Sequence, residues 1–218
     1  MLVRHFHPTD TMADTLSTRL RRETKEAHSR AERSGIMRAL LARRMERSAY
    51  IALLANLLPV YTALEAGLRR HQGHPAVRPI HHEALFRVPA LTQDLATLAG
   101  PDWSGSVGTV PPAIEYAERI EAAEAAPWLL VAHSYTRYLG DLSGGQILKR
   151  LIQEQLGPEG ARATAFYEFP GIPDPTEFKE GYRAALDALP LAEAQQDEIV
   201  AEALRAFDLN ARLFEALD

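Results

Sequence analysis

The sequence predicts an all-α fold, a single-domain helical bundle, and three observations carry that expectation. Ala, Leu, Glu and Arg dominate, while β-branched residues are sparse, and the former are strong helix formers. No stretch alternates apolar and polar residues in the manner of a half-buried strand. At 218 residues the chain can bury about 70 per cent of its unfolded surface in one core. No linker, internal repeat or low-complexity tract divides it.

The elements follow in order. A first helix is expected over residues 16–33 and another from Ile36 to Met45. A long helix follows from Ser48 to about His71, bent near Pro59, because an interior proline removes one helical hydrogen bond and crowds the preceding turn. Gly73–Pro79 reads as a loop, and an unpatterned stretch leads to a helix ending near Gly100. Pro111–Pro112 suits a first helical turn, where a missing N–H costs nothing, and helical spacing then runs to Leu156. A Gly/Pro-rich connection, Gly157 to Pro175, precedes two last helices separated near Pro190.

Composition excludes several function classes. The chain has no cysteine, which rules out disulfides, thiolate metal ligation, iron–sulfur clusters and Cys-based zinc, and suits a reducing cytoplasm. A net charge of −5 and an isoelectric point near 5.9 argue against nucleic acid as a partner. Charge is uneven: residues 1–50 carry 11 Lys/Arg against 6 Asp/Glu, and residues 151–218 carry 5 against 14. The basic end could attract an anionic ligand or an acidic partner, or be a solvated helix face. The longest apolar stretch, Tyr50–Leu64, contains Asn56 and Pro59 and is shorter than the roughly 20 residues a membrane span needs, so no membrane is expected. The opening MLVRHFHPTDTM lacks the apolar region of a signal peptide. Residues 1–13 read as a disordered leader, with Met12 an alternative start, ahead of a domain over 14–218.

Of eight histidines, His28 has the most informative neighbours. Leu16, Leu20, Ala27 and Ala31 fall on one helix face, and His28 lies at its edge. Glu32 at i+4 could accept the proton of one ring nitrogen and leave the other free for a metal. Arg21 lies two turns away, about 10 Å by helical rise, and Lys25 is on the same flank. A metal ligand with a cation at that distance suits a flat anionic macrocycle. By spacing alone, a plain surface-edge histidine is the simpler reading. His71, His74, His81 and His82 surround a polar loop and lack the spacing of an HEXXH zinc motif. His5 and His7 lie in the leader, and His133 reads as a partly buried, hydrogen-bonded side chain.

The second unusual segment is HSYTRYLGDLSGGQILKR, His133–Arg150, with Gly140, Gly144 and Gly145 in an otherwise helical pattern. Each glycine costs about 1 kcal/mol against alanine inside a helix. Either the backbone kinks, or another helix crosses closely, or a ligand lies directly against it. Phosphate-loop motifs are absent. Asp141 stands beside Gly140 with Arg137 four residues before it, and Tyr135, Ser143 and Gln146 add polar groups. The pair could anchor ordered water at a reacting centre, or be an ordinary surface ion pair.

These segments resemble the haem oxygenase family. The likeness runs from LRRETKEAHSRAE (Leu20–Glu32) through VYTALE (Val60–Glu65) and ALTQDL (Ala90–Leu95) to AHSYTRYLGDLSGGQILKR (Ala132–Arg150), FKEGYR (Phe178–Arg183) and AFDLNARLFEAL (Ala206–Leu217). The resemblance implies haem sandwiched between a proximal and a kinked distal helix. It makes His28 the proximal iron ligand and Glu32 its hydrogen-bonding carboxylate. Gly140 and Gly144 become the distal glycines, and Asp141 the aspartate that organises water and delivers a proton, with Arg137 in support. Arg21, Tyr135, Lys179 and Arg183 would surround the propionates, Arg21 standing where the family often has Lys, a change of geometry at constant charge. The stop at Asp218 without an apolar anchor resembles the soluble bacterial type. Residues 72–87 match no family pattern.

The implied enzyme uses haem as substrate and cofactor and releases biliverdin, carbon monoxide and ferrous iron. No flavin or nicotinamide motif is evident, so electrons come from an external donor, such as ferredoxin or flavodoxin with its reductase. Two rivals are a non-catalytic haem carrier, which has no need of Asp141, and a thiaminase-like hydrolase, which needs a cysteine.

Overall fold

A computed structural model describes residues 14–218; the leader expected over 1–13, with His5, His7 and Met12, lies outside the described residues. Among the described residues there are ten α-helices and no strand. They are α1 (Leu16–Glu23), α2 (Lys25–Glu32), α3 (Gly35–Leu41), α4 (Arg47–Arg70), α5 (Val88–Ala99), α6 (Pro111–Ala123), α7 (Leu130–Ser134), α8 (Gly140–Arg162), α9 (Pro175–Asp187) and α10 (Glu193–Glu215). The unpatterned stretch after Gly73 forms two 3₁₀ turns, Arg78–Ile80 and Glu83–Leu85.

The first expected helix is α1 and α2 with a step between them. Thr24 sits at φ −92°, ψ 0°, and its hydroxyl donates to the Leu20 carbonyl at 2.6 Å, a side-chain bond that competes with the backbone ladder and bends helices. The backbone bonds Thr24 N to Leu20 O and His28 N to Thr24 O persist across it, at 3.0 and 2.9 Å. Leu16, Leu20, Ala27 and Ala31 are all buried, the first two in the main core and the second two against Phe207 and Ala211. At Gly35, φ is +44° and a Cβ would lie 1.8 Å from the Phe214 carbonyl oxygen. Only glycine lets α3 begin that close to α10.

The central helix is α4, which continues through Pro59. It is long and apolar enough to cross a membrane, yet 72% of its most apolar 18-residue window is buried. Tyr50, Leu54, Val60, Tyr61, Leu64 and Leu68 pack inward between α5 and α6. That burial makes it a core helix.

The helical stretch expected from Pro111 to Leu156 is divided. Pro127 drives Ala126 out of the α region, to φ −133°, ψ 82°, so α6 stops and a 3₁₀ turn, Pro127–Leu129, leads into α7. Between α7 and α8 lies a π-helical turn, Tyr135–Leu139, a wider coil that re-aims side chains and is a recognised source of helix kinks. The Gly140 backbone itself is helical, at φ −64°, ψ −50°. The kink expected of the distal helix thus resides in the five residues ahead of the glycines. Gly157, at φ +58°, breaks α8 where the connection was expected to begin.

The first and last helices of the described residues meet. Ser17 donates through its N–H and hydroxyl to Asp187, at 2.8 and 2.9 Å. Arg19 reaches Asp197 at 2.6 Å, Arg30 reaches Asp208 at 3.3 Å and Arg38 reaches Asp218 at 2.5 Å. Much of the basic excess read from the first 50 residues is answered by the acidic excess of α9 and α10. Such exposed pairs contribute little each. They record a register that apolar packing against α10 sets.

His133 is fully buried, beyond the partial burial expected. Its Nε2 lies 3.0 Å from Glu202 Oε1 but off the line of an N–H bond, and Nδ1 has no partner. Arg119 grips both Glu202 oxygens. Burial alone would raise Glu202, but His133 and Arg119 outweigh it and hold the carboxyl down at about 2. A depressed carboxyl stabilises the fold above its unfolded value, 4.5, and that stability drains as pH falls toward 2. Asp94, raised to about 6 by burial, acts in the opposite sense: its cost appears as pH rises from about 4 to 6. Glu202→Gln should therefore destabilise by about 3 kcal/mol at pH 7 and by much less at pH 3. Urea unfolding at the two pH values checks this; an equal loss at both would remove the charge argument.

Candidate functional site

A slot opens between α2 and the segment that runs from the π turn into α8. It consists of two adjoining cavities of about 280 and 530 Å³ that share His28, Glu32, Thr136, Gly140, Gly144 and Phe207. The inner part is apolar, walled by Met37, Leu53, Leu57, Leu148, Phe166 and Phe214. The outer part is cationic and polar, bordered by Arg21, Arg22, Lys25, Tyr135 and Arg183. An apolar interior with a basic mouth fits a flat apolar molecule that carries anionic groups on one edge.

On the first wall, the step at Thr24 leaves His28 half-exposed to the slot, its ring edge-on to Phe207 at 5.5 Å. His28 Nε2 lies 3.4 Å from Glu32 Oε1, a loose pairing for an N–H···O contact. One nitrogen is thereby oriented toward a carboxylate and the other left for a metal, and half a turn of the ring exchanges them.

On the opposite wall the glycines divide. A Cβ at Gly140 or Gly144 would meet nothing within 4 Å, whereas at Gly145 it would lie 3.2 Å from Tyr167 Cδ1. Close packing accounts for Gly145 alone. Gly140 and Gly144 turn bare backbone to the slot, a cradle that side chains would fill. Gly144→Leu should accordingly leave the empty protein folded, gaining up to about 1 kcal/mol of helix propensity, while weakening hemin binding about tenfold or more. Urea unfolding and hemin titration measure the two; unaltered hemin affinity would show that the cradle holds nothing.

Asp141 and Arg137 are both buried, 8% and 6% exposed, which removes the surface-pair reading. Their nearest approach is 3.7 Å, Arg137 Nη2 to Asp141 Oδ1, because Tyr61 stands between them. The Tyr61 hydroxyl accepts from Arg137 Nε and Nη2 at 3.0 and 2.9 Å and donates to Asp141 Oδ2. Arg137 Nη1 donates to Asn210 Oδ1 at 2.6 Å. Burial pushes the Asp141 carboxyl above its ordinary value, against the pull of Arg137 and Tyr61. Among the described residues, none donates a hydrogen bond to Oδ1, and Asp141 lines the slot. A carboxyl so poised can take up and return a proton.

The mouth gathers most of the expected propionate shell. Arg21, Tyr135 and Arg183 border it. Lys179 stands back, with Nζ 3.4 Å from Ser143 Oγ on the rim. Glu32 borders both cavities. Sequence reasoning missed Tyr61 and Asn210 as members of the Asp141 network, and Phe207 as the ring beside His28. Tyr61 and Asn210 were quoted within VYTALE and AFDLNARLFEAL without roles, and a polar residue on the inward face of a helix was the available signal.

Comparison with known proteins follows from this geometry. Residues 14–216 match the family model described as "Heme oxygenase". The chain is 42% identical over 204 residues to a heme oxygenase from Rhodella violacea, covering 93% of this chain and 87% of that protein. It is likewise 42% identical over 208 residues to heme oxygenase 1 from Nostoc sp., covering 95% and 87%. Its fold superposes with a TM-score of 0.89 on heme oxygenase-2 from Synechocystis sp., solved in complex with heme and NO, at 41% identity and covering 94% of this chain and 85% of that one.

Proposed function

This chain belongs to the haem oxygenase family, and we propose that it works through His28 on one wall of the slot and Asp141 on the other. The reaction opens haem oxidatively to biliverdin, carbon monoxide and ferrous iron, with oxygen and external electrons. Bound haem supplies both the iron that activates oxygen and the ring carbon that is oxidised.

The observation that carries the assignment of roles is the open Cβ space at Gly140 and Gly144, beside buried Asp141 and in the slot that His28 borders. His28 holds the substrate by its free ring nitrogen, with Glu32 fixing the tautomer. The glycines let the helix backbone approach the substrate face, and the apolar inner wall keeps bulk water out. Asp141 Oδ1 receives and returns the protons of the reaction through ordered water, while Tyr61 and Arg137 hold the carboxyl in place. Arg21, Arg183 and Tyr135, with Lys179 behind them, attract the propionates to the mouth.

Purified protein given hemin, a reductant and oxygen should lose the Soret band and yield a bilin. Haem that persists unchanged would favour a carrier and overturn the enzyme reading. We assign the electrons to an acidic donor of the ferredoxin or flavodoxin class, supported by Lys25 on α2, Arg33 just after it and Arg44 between α3 and α4, exposed cations that enter no ion pair among the described residues. Donor-driven turnover should then fall as salt rises; indifference to salt would remove that assignment. A chain without cysteine suits a reducing cytoplasm; fractionation with secreted protein would contradict it.

A further inference from the structure

Two buried side chains of opposite charge hold one short segment behind the distal wall. Asp94, on α5, is fully buried. Its Oδ1 accepts from Ala165 N–H at 3.0 Å and its Oδ2 from Phe166 N–H at 2.8 Å. Arg87, at the N-cap of α5, is 5% exposed. It donates to the carbonyls of Phe166, at 3.5 Å, and Glu168, and also to those of Leu85 and Ala84. The carboxylate thus takes two N–H groups of the 3₁₀ turn Ala165–Tyr167, and the guanidinium takes the Phe166 carbonyl of that turn and the Glu168 carbonyl just after it. Seven residues apart, Arg87 and Asp94 lie two turns along the same helix face.

The gripped turn bears on the site. The Phe166 ring meets Tyr61 edge-on at 5.5 Å and lines the inner slot. Tyr61 in turn donates to Asp141. The Tyr167 ring rests where a Cβ of Gly145 would lie, and the Tyr167 carbonyl accepts from Gln146 Nε2 at 2.8 Å. Displacement of this turn therefore reaches both the glycine face and the carboxyl of Asp141. Asp94, Arg87, Phe166 and Tyr167 themselves do not line the cationic mouth.

We propose that Asp94 and Arg87 are positioning residues, which set through Phe166 and Tyr167 how closely the glycine face and Asp141 approach haem. The proposal rests on the haem-cleaving reading. A buried ion with such partners is a geometric specification more than a source of stability. Its effect lies in where ring opening occurs and in how ligands bind on the Asp141 side, while hemin capture at the mouth is unaffected.

Asp94→Asn keeps the shape but turns an amide donor toward one of the two N–H groups. In the hemin complex, hemin affinity should stay within about twofold of the native value. Azide affinity of the ferric complex should change about threefold or more, and the ratio of biliverdin isomers should shift about twofold or more. Gln146→Leu, which removes only the bond to the Tyr167 carbonyl, should move both readouts in the same direction by less. Native azide affinity and isomer ratio in a folded Asp94→Asn protein would overturn the proposal. If Asp94→Asn does not fold, unchanged readouts in Gln146→Leu overturn it equally. Failure of the native protein to cleave hemin refutes the functional reading instead, which separates the two.

Discussion

His28→Ala is expected to abolish bilin formation while leaving the protein folded. The side chain is 45% exposed with its ring edge-on to Phe207, so its removal should cost at most about 1 kcal/mol of stability. Hemin still has an apolar slot and a basic mouth, and some affinity persists. What disappears is the fixed nitrogen beneath the iron. Loss of a hydrogen-bonding partner behind a metal ligand costs about 10–100-fold on its own, so loss of the ligand itself should exceed about 100-fold in turnover. Absorption spectra of the ferric complex report the axial ligand and product analysis reports the bilin. A native ferric spectrum in His28→Ala would transfer the ligand role elsewhere. Glu32→Gln should retain the ligand and fall between the two proteins.

Asp141→Asn should leave hemin affinity near native and lower bilin yield by about 10²–10⁴-fold, the range typical of a lost general acid–base group. The amide still accepts from Tyr61 yet neither takes nor returns a proton. Stability should fall as well. Arg137 is buried with Tyr61, Asn210 and Asp141 as its partners, and Asp141 is the one anion among them. Leaving that guanidinium with neutral neighbours costs about 3 kcal/mol. Rate and urea stability should therefore drop together while hemin titration does not. Asp141→Asn with full bilin yield would exclude the carboxyl from proton delivery.

Much of this site was legible in the sequence because its signals are local. Glycines inside a helical pattern, and a histidine with a carboxylate four residues on, are arithmetic on a 3.6-residue period. Leu16, Leu20, Ala27 and Ala31 are buried as helical spacing predicts, though the step at Thr24 divides them between two clusters. The glycine pattern alone did not distinguish Gly145, which makes room for Tyr167, from Gly140 and Gly144, which face open space. That distinction needs a partner 22 residues away. The Asp141 network was legible only at Arg137, since Tyr61 and Asn210 arrive from α4 and α10. Pro127 stands inside the stretch expected to be helical from Pro111 to Leu156, and with Ala126 held out of the α region it divides that stretch. The π turn left no local mark, because Tyr135–Leu139 contains no residue that opposes an ordinary α-helix.

The packing of α1 and α2 against α9 and α10 bears on biosynthesis. The hydrogen bonds joining Ser17, Arg19 and Arg38 to α9, α10 and the C-terminal residue bridge 170, 178 and 180 positions. The wall that carries His28 is thus made well before α10, the helix it leans on. Until α10 leaves the ribosome, α1 and α2 are two eight-residue helices, shorter than an isolated helix needs to persist in water. Capture of haem by His28 is therefore expected to wait for α10: a chain cut ahead of it lacks the support on which α1 and α2 pack.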